Sequence, residues 1–269
     1  MTSKEKCHIQ VDKDPIPHCN LGAFIEGYDS KHDPLFNYKI LWFLLIPFLG
    51  WLLVPLMILI FLLQRLFQTR HRIYFFEQGC IWRESLFGSP QDFTLRYDQM
   101  GGMRVSKTRH YISQLYGLIT TYGRTEAVLE VSDLQGRVLL QKKITYQNEK
   151  ELETPEKYNA AAFAMLKLQE MADQACLDHF NQSFREQGYG VFHISPTDII
   201  QVGHGFIRYN QAYAGPGLRY QFSEGQLIIY PSEADSNNLL TNGCFSIPVP
   251  QIFSPQIFLM AIDQFLSIQ

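Results

Sequence analysis

Ile40 to Leu63 is an unbroken run of 24 residues without a charged, amide or hydroxyl side chain, ILWFLLIPFLGWLLVPLMILIFLL. At about 1.5 Å rise per residue, a helix of that length reaches about 36 Å, against a bilayer hydrocarbon core of about 30 Å. Pro47, Gly50 and Pro55 interrupt the run. An interior proline costs a soluble helix about 3 kcal/mol, but membrane helices tolerate it because neighbouring groups re-satisfy the freed carbonyls. A re-entrant hairpin turning at Gly50 would have arms too short to cross, and a buried core helix would need protein on every side. The expectation is a single-pass anchor at 38–67 behind a polar tail at 1–37. Arg65, Arg70, Arg72 and Arg83 follow the run, whereas Lys31 and Lys39 precede it. Basic residues favour the cytoplasmic side, which places the C-terminal domains there and the protein in the cell membrane. Lys4, Lys6 and Lys13 weigh against that orientation.

Composition limits the rest. Mean hydropathy is only −0.10 with the apolar run included, so the remainder is ordinary soluble-domain sequence. A net charge of −3 argues against general attraction to nucleic acid. The five cysteines are odd in number and contain no CxxC pair, which fits reduced thiols better than a disulfide framework. The charged first 39 residues make a cleavable signal peptide an unexpected feature.

Beyond the anchor the chain reads as β-rich. Arg72–Glu77 and Cys80–Ser85 flank a Gln78-Gly79 turn, and Phe93–Tyr97 follows before a Gly101-Gly102 break. Ala127–Val131 and Arg137–Ile144 form a second hairpin around Asp133–Gly136. Thr154, Pro155 and Glu156 open a helix running to about Arg185, with Ala161, Met165, Leu168, Ala172, Cys176 and Phe180 on one face. Strands then recur at Val191–Ser195, Ile199–Val202, Phe206–Tyr209, Leu218–Ser223 and Gln226–Tyr230. Ser254 and Pro255 start a last helix. The tetrapeptides Arg96-Tyr97-Asp98-Gln99 and Arg208-Tyr209-Asn210-Gln211 suggest an internal repeat, with chance similarity as the competing reading.

Leu21-Gly22-Ala23-Phe24, the anchor, and Tyr74-Phe75-Phe76-Glu77-Gln78-Gly79 resemble the motifs of a family of uncharacterised bacterial membrane proteins with pleckstrin-homology-like β domains. Tyr97 stands where that family more commonly has tryptophan. The resemblance implies an α+β fold: an N-terminal transmembrane helix, then two β-rich pleckstrin-homology-like lobes, each closed by a C-terminal helix. The lobes fall at 72–187 and 188–269. It implies no catalytic residue and no cofactor.

Candidate chemistry is sparse. No GxSxG, HExxH or GxxxxGK signature occurs. Cys7-His8 and His18-Cys19 lack the two- to four-residue gaps usual within zinc-ligand pairs, so no metal site is expected. Asp198, His204 and Cys244 could meet only in three dimensions. Arg104, Lys107, Arg109 and His110 make a basic cluster that pleckstrin-homology-like loops could use for anionic lipid, with a solvated charged surface as the plain alternative. The sequence therefore reads as a membrane-anchored, non-catalytic scaffold or sensor whose β domains bind a protein segment or self-associate. The alternatives are an enzyme with a site between the lobes and an anionic-lipid-binding module. Expected partners are the lipid bilayer, an unidentified protein and a second copy of the chain, with no nucleic acid.

Overall fold

The computed structural model describes residues 20–29, 59, 70–86, 89–114, 119–146, 160–230 and 244–266. The chain divides into two compact units, Met1–Thr94 with Thr154–Ala164, and Leu95–Glu153 with Met165–Gln269. Among the described residues no helix is long and apolar enough to cross a membrane. The two helices with described bounds are α1, Ala160–Gln187, and α2, Pro255–Leu266. α1 is long enough but exposes Glu170, Gln174 and Asp178. α2 has 12 residues and reaches about 18 Å, short of a bilayer core of about 30 Å. The expected anchor at 38–67 lies outside the described residues except for Leu59. The expected fold class is accordingly corrected. A mostly β architecture with these two helices replaces the α+β class of a transmembrane helix followed by pleckstrin-homology-like lobes. The transmembrane and membrane descriptors, and the single-pass cell-membrane location with cytoplasmic C-terminal domains, are corrected with it, because no described helix is long and apolar enough to span.

The first unit is built on a sheet in the order β1 (Phe24–Asp29), β2 (Arg70–Phe76), β3 (Gly79–Leu86), β4 (Ser89–Arg96). Ile73 to Phe76 and Cys80 to Trp82 are all buried, so the β2–β3 hairpin is covered on both faces. That is why these strands read as continuous apolar runs rather than alternating ones. The two short motifs, Leu21–Phe24 and Tyr74–Gly79, interlock here. Leu21 packs with Tyr74, Phe76 and Ile81, while Phe24 meets Phe76 edge-on at 5.8 Å. The Ala23 amide donates to Glu77 Oε2 at 3.1 Å, and the Gln78 amide to the Leu21 carbonyl at 2.9 Å. Gly22 adopts φ +84°, and a Cβ there would lie 2.7 Å from Glu77 Oε2, so glycine is required for this approach. Arg83 forks onto Asp92 at 2.6 and 2.7 Å, tying β3 to β4.

Among the described residues the second unit holds three sheets. Their orders are β5 (Met100–Gln114), β6 (Ile119–Asp133), β7 (Val138–Tyr146); then β8 (Tyr189–His193), β9 (Ile199–Gly203), β10 (Phe206–Tyr209), β11 (Ala212–Ala214); then β12 (Arg219–Ser223), β13 (Gln226–Tyr230), β14 (Phe245–Pro248). Its core joins Cys176 and Phe180 of α1 to Phe192, Ile200, Val202, Leu227, Ile229 and the buried stripe of α2. Phe180 contacts Phe192 at 5.3 Å and Phe265 at 5.8 Å between ring centroids. α1 ends at Gly188, which takes φ +79° and donates to the Phe184 carbonyl at 2.9 Å.

Among the described elements, four strands, three strands and a helix follow one another twice. The Arg-Tyr-x-Gln tetrapeptides are not equivalent within that order. Tyr97–Gln99 is a 3-10 turn after the fourth strand, whereas Arg208-Tyr209 closes β10, the third strand of its sheet, and Asn210 turns at φ +51°. The tetrapeptide match is coincidental, and the element order repeats without it.

Candidate functional site

The basic cluster lies on a strand. Arg104, Lys107, Arg109 and His110 all belong to β5, which pairs with β6 without a register shift from Gly102 to His110. Side chains alternate across a strand. Lys107 and Arg109 therefore share the face that carries buried Met103, Ala127 and Leu129, while Arg104 and His110 point to the opposite face. The four residues do not form one basic surface.

The opposite face is internally compensated. Glu126 is approached by Lys143 at 2.6 Å, Arg124 at 3.0 Å and His110 at 3.6 Å. The Lys143 hydrogen bond is the main reason its carboxyl is held below the usual carboxylate range. Arg104 bonds Glu130 Oε2 at 2.6 Å and lies 4.4 Å above the Phe253 ring centroid. It also donates to the carbonyls of Ile194 at 3.0 Å and Gln251 at 2.5 Å. Arg104 is thus a tie within the unit. Arg104→Ala should lower the unfolding free energy by about 2 kcal/mol, since it strands three acceptors. Lys107→Ala should change it by less than about 0.5 kcal/mol. Urea unfolding of both variants checks this, and equal losses would remove the structural role assigned to Arg104.

Lys107 and Arg109 are different. Both are exposed, both face neutral cross-strand partners (Ala127 and Thr125), and neither has an ion pair among the described residues. Tyr111 follows on the same face, 54% exposed, in edge-on contact with Tyr122 at 6.4 Å. Tyr122 is anchored through its hydroxyl to Thr125 Oγ1 at 2.8 Å. Among the described residues β7 pairs with β6 over Thr125–Ser132, so the outer part of the β5–β6 hairpin, beyond Arg109 and Thr125, runs on there as a two-stranded ribbon.

Among the described residues β5 is also a sheet edge. The Met103 carbonyl accepts from the Ser254 amide at 2.8 Å, and the Met103 amide donates to Ser254 Oγ at 3.3 Å. Its main-chain groups therefore point away from β6. In an antiparallel ladder this direction alternates, so the N–H and C=O groups of Val105, Lys107 and Arg109 point outward as well. Residues 106–111 are all exposed. A bend is already seated at the start of this edge: Phe253 and Ser254, the latter at φ +53°, bridge it to β8, with the Phe253 amide donating to the His193 carbonyl at 3.0 Å.

The other sequence candidates do not converge. Asp198 and His204 flank opposite ends of β9, about 20 Å apart along an extended strand. Asp198 receives bonds from Ser195 at 2.8 Å and Asn210 at 3.1 Å. His204 packs edge-on against Phe184 and Phe265. Cys244 is exposed just before β14 in another sheet. Cys7, His8, His18 and Cys19 lie outside the described residues; among those described, no group of three or more His, Cys, Asp or Glu could hold a metal. Burial pushes the Cys80 and Cys176 thiols up to about 12, which leaves them protonated and unreactive at neutral pH.

Sequence reasoning missed the edge because it placed residues 104–110 in a loop. The available signal was the two-residue spacing of Lys107 and Arg109. No family model, curated protein or solved structure matches this chain.

Proposed function

We propose that this chain is a non-catalytic protein-interaction module that takes an extended segment of a partner as an added strand on β5. Strand addition draws affinity from main-chain hydrogen bonds and specificity from alternate side chains. The supporting observation is the run of outward main-chain groups at Val105, Lys107 and Arg109, continuous with the Met103 position that Ser254 already fills.

The test uses proline. Val105→Pro removes an outward N–H, which an edge strand tolerates. Ser106→Pro removes a donor aimed at β6 and should destabilise the sheet. Peptides selected from a random displayed library against the full chain supply the ligand. They should slow amide exchange at Val105, Lys107 and Arg109. Val105→Pro should bind them about fivefold or more weakly while unfolding near the wild-type midpoint, since one main-chain hydrogen bond is worth about 1 kcal/mol. Unchanged binding by Val105→Pro, or protection elsewhere only, would refute strand addition at this edge.

A further inference from the structure

We infer that the segment taken by this edge is acidic at alternate positions, with two carboxylates two residues apart opposite Lys107 and Arg109 and an apolar side chain next on the same face, against Tyr111. The inference rests on the strand-addition reading above and names the chemistry of its partner.

Three observations carry it. First, the two cations sit on one face of a strand, about 6.8 Å apart, which is the repeat of alternate residues in any strand laid beside it. Second, they have no ion pair among the described residues, whereas neighbouring charges on the sheet do. Arg104 has Glu130, and Lys143, Arg124 and His110 converge on Glu126, whereas Lys107 and Arg109 face Ala127 and Thr125. Third, the next residue on that face is an exposed tyrosine held by Tyr122 rather than another charge. An added strand would place each of its own same-face residues directly opposite one of these three. Opposite charges in such cross-strand positions attract and like charges repel. A net charge of −3 over the chain makes this pair of free cations a local feature rather than part of a general polyanion-binding surface.

The seat of Ser254 also sets the register. Because Ser254 occupies the position beside Met103, a partner strand begins at Val105. It can engage the outward groups of Val105, Lys107 and Arg109 before reaching Tyr111. The first carboxylate therefore comes at the second outward position and not at the first.

The experiment uses the full chain and three synthetic peptides of identical length: glutamates at alternate positions followed by a same-face valine, the same residues with the glutamates adjacent, and the alternate peptide with glutamine for glutamate. Binding is read by fluorescence anisotropy at low and high salt, and seating by amide exchange at Val105, Lys107 and Arg109. The alternate peptide should bind tightest and weaken with salt. Lys107→Gln/Arg109→Gln should reduce its affinity by about tenfold, from roughly two- to fivefold per charge pair, without shifting the unfolding midpoint. Tyr111→Ser should weaken the valine-bearing peptide selectively. Equal binding and equal amide protection by the glutamine peptide would overturn the acidic code while leaving strand addition standing. No protection by any peptide would overturn both. Tighter, Lys107- and Arg109-dependent binding to phosphatidylserine vesicles or to a single-stranded oligonucleotide would overturn the acidic peptide in favour of that polyanion.

Discussion

Gly101→Ala is expected to destabilise the protein by about 3 kcal/mol or more, because the new methyl group has no room and nothing around it can rotate away. A Cβ at this position would fall inside the Asp133 carbonyl group and 3.0 Å from Leu134 Cα, all of it backbone. The glycine opens β5, in the register shift between Met100 and Gly102, where the strand crosses the end of β6. Relief would require moving the β6–β7 turn. Gly188→Ala is the natural comparison. There the added Cβ meets nothing within 4 Å, and only the φ of +79° penalises it, at about 1 kcal/mol. Urea unfolding of the two variants separates steric overlap from backbone conformation. A Gly101→Ala loss no larger than that of Gly188→Ala would contradict the close crossing.

Asp133→Asn is expected to cost about 1–3 kcal/mol at pH 7, and the loss should vanish in acid. Asp133 is nearly fully buried at the β6–β7 turn. Its Oδ1 accepts from the amides of Gln135 at 2.9 Å and Arg137 at 2.8 Å, and its Oδ2 from Arg137 Nε at 2.6 Å. Burial opposes the charged form, but these donors outweigh it and the carboxyl lies below its usual range. A depressed folded-state pKa stabilises the fold above the unfolded value of about 4 and loses that contribution as pH falls through the folded value. Wild type and variant should therefore converge as pH falls through the depressed folded-state value. The Arg137 side chain is 68% exposed, so Arg137→Ala should cost under about 1 kcal/mol and the amide donors should carry most of the effect. A pH-independent gap between wild type and Asp133→Asn would show that the amide shape, and not the charge, is what the turn requires.

Strands with at least one dry face were legible in the chain. The 72–77 and 80–85 runs, the hairpin around Asp133–Gly136 and the five strands from Val191 to Tyr230 all carry enough apolar or alternating residues to stand out against their turns. The helix read from Thr154 to Arg185 is described as Ala160–Gln187, and its apolar spacing matches the buried face from Ala161 to Phe180. The long β5 strand was not legible. From Ser106 to Tyr111 it is exposed on both faces, so selection for burial imposed no period of two and the segment read as a charged loop. Its pairing is fixed by β6, a tertiary cause. Gly101 and Gly102 looked like a chain break for a related reason: glycine marks turns and close crossings alike. The fate of the basic residues depended on face assignment within that unrecognised strand, and so did the open edge. The apolar run at 40–63 dominated the reading of location, yet no described element carries that reading.

The interlocked motifs around Gly22 and Glu77 have a bearing on the order of assembly. β2, β3 and β4 follow one another through tight connections, but Asp29 pairs with Arg72 across the excursion from residue 30 to residue 69. Closing a loop of about 40 residues costs chain entropy of about 3 kcal/mol more than closing a turn. The β1 strand therefore has the least local help of any strand in its sheet. Leu21 in its pocket and the Ala23–Glu77 hydrogen bonds act as a clasp at one end of a strand whose closure carries that entropic cost.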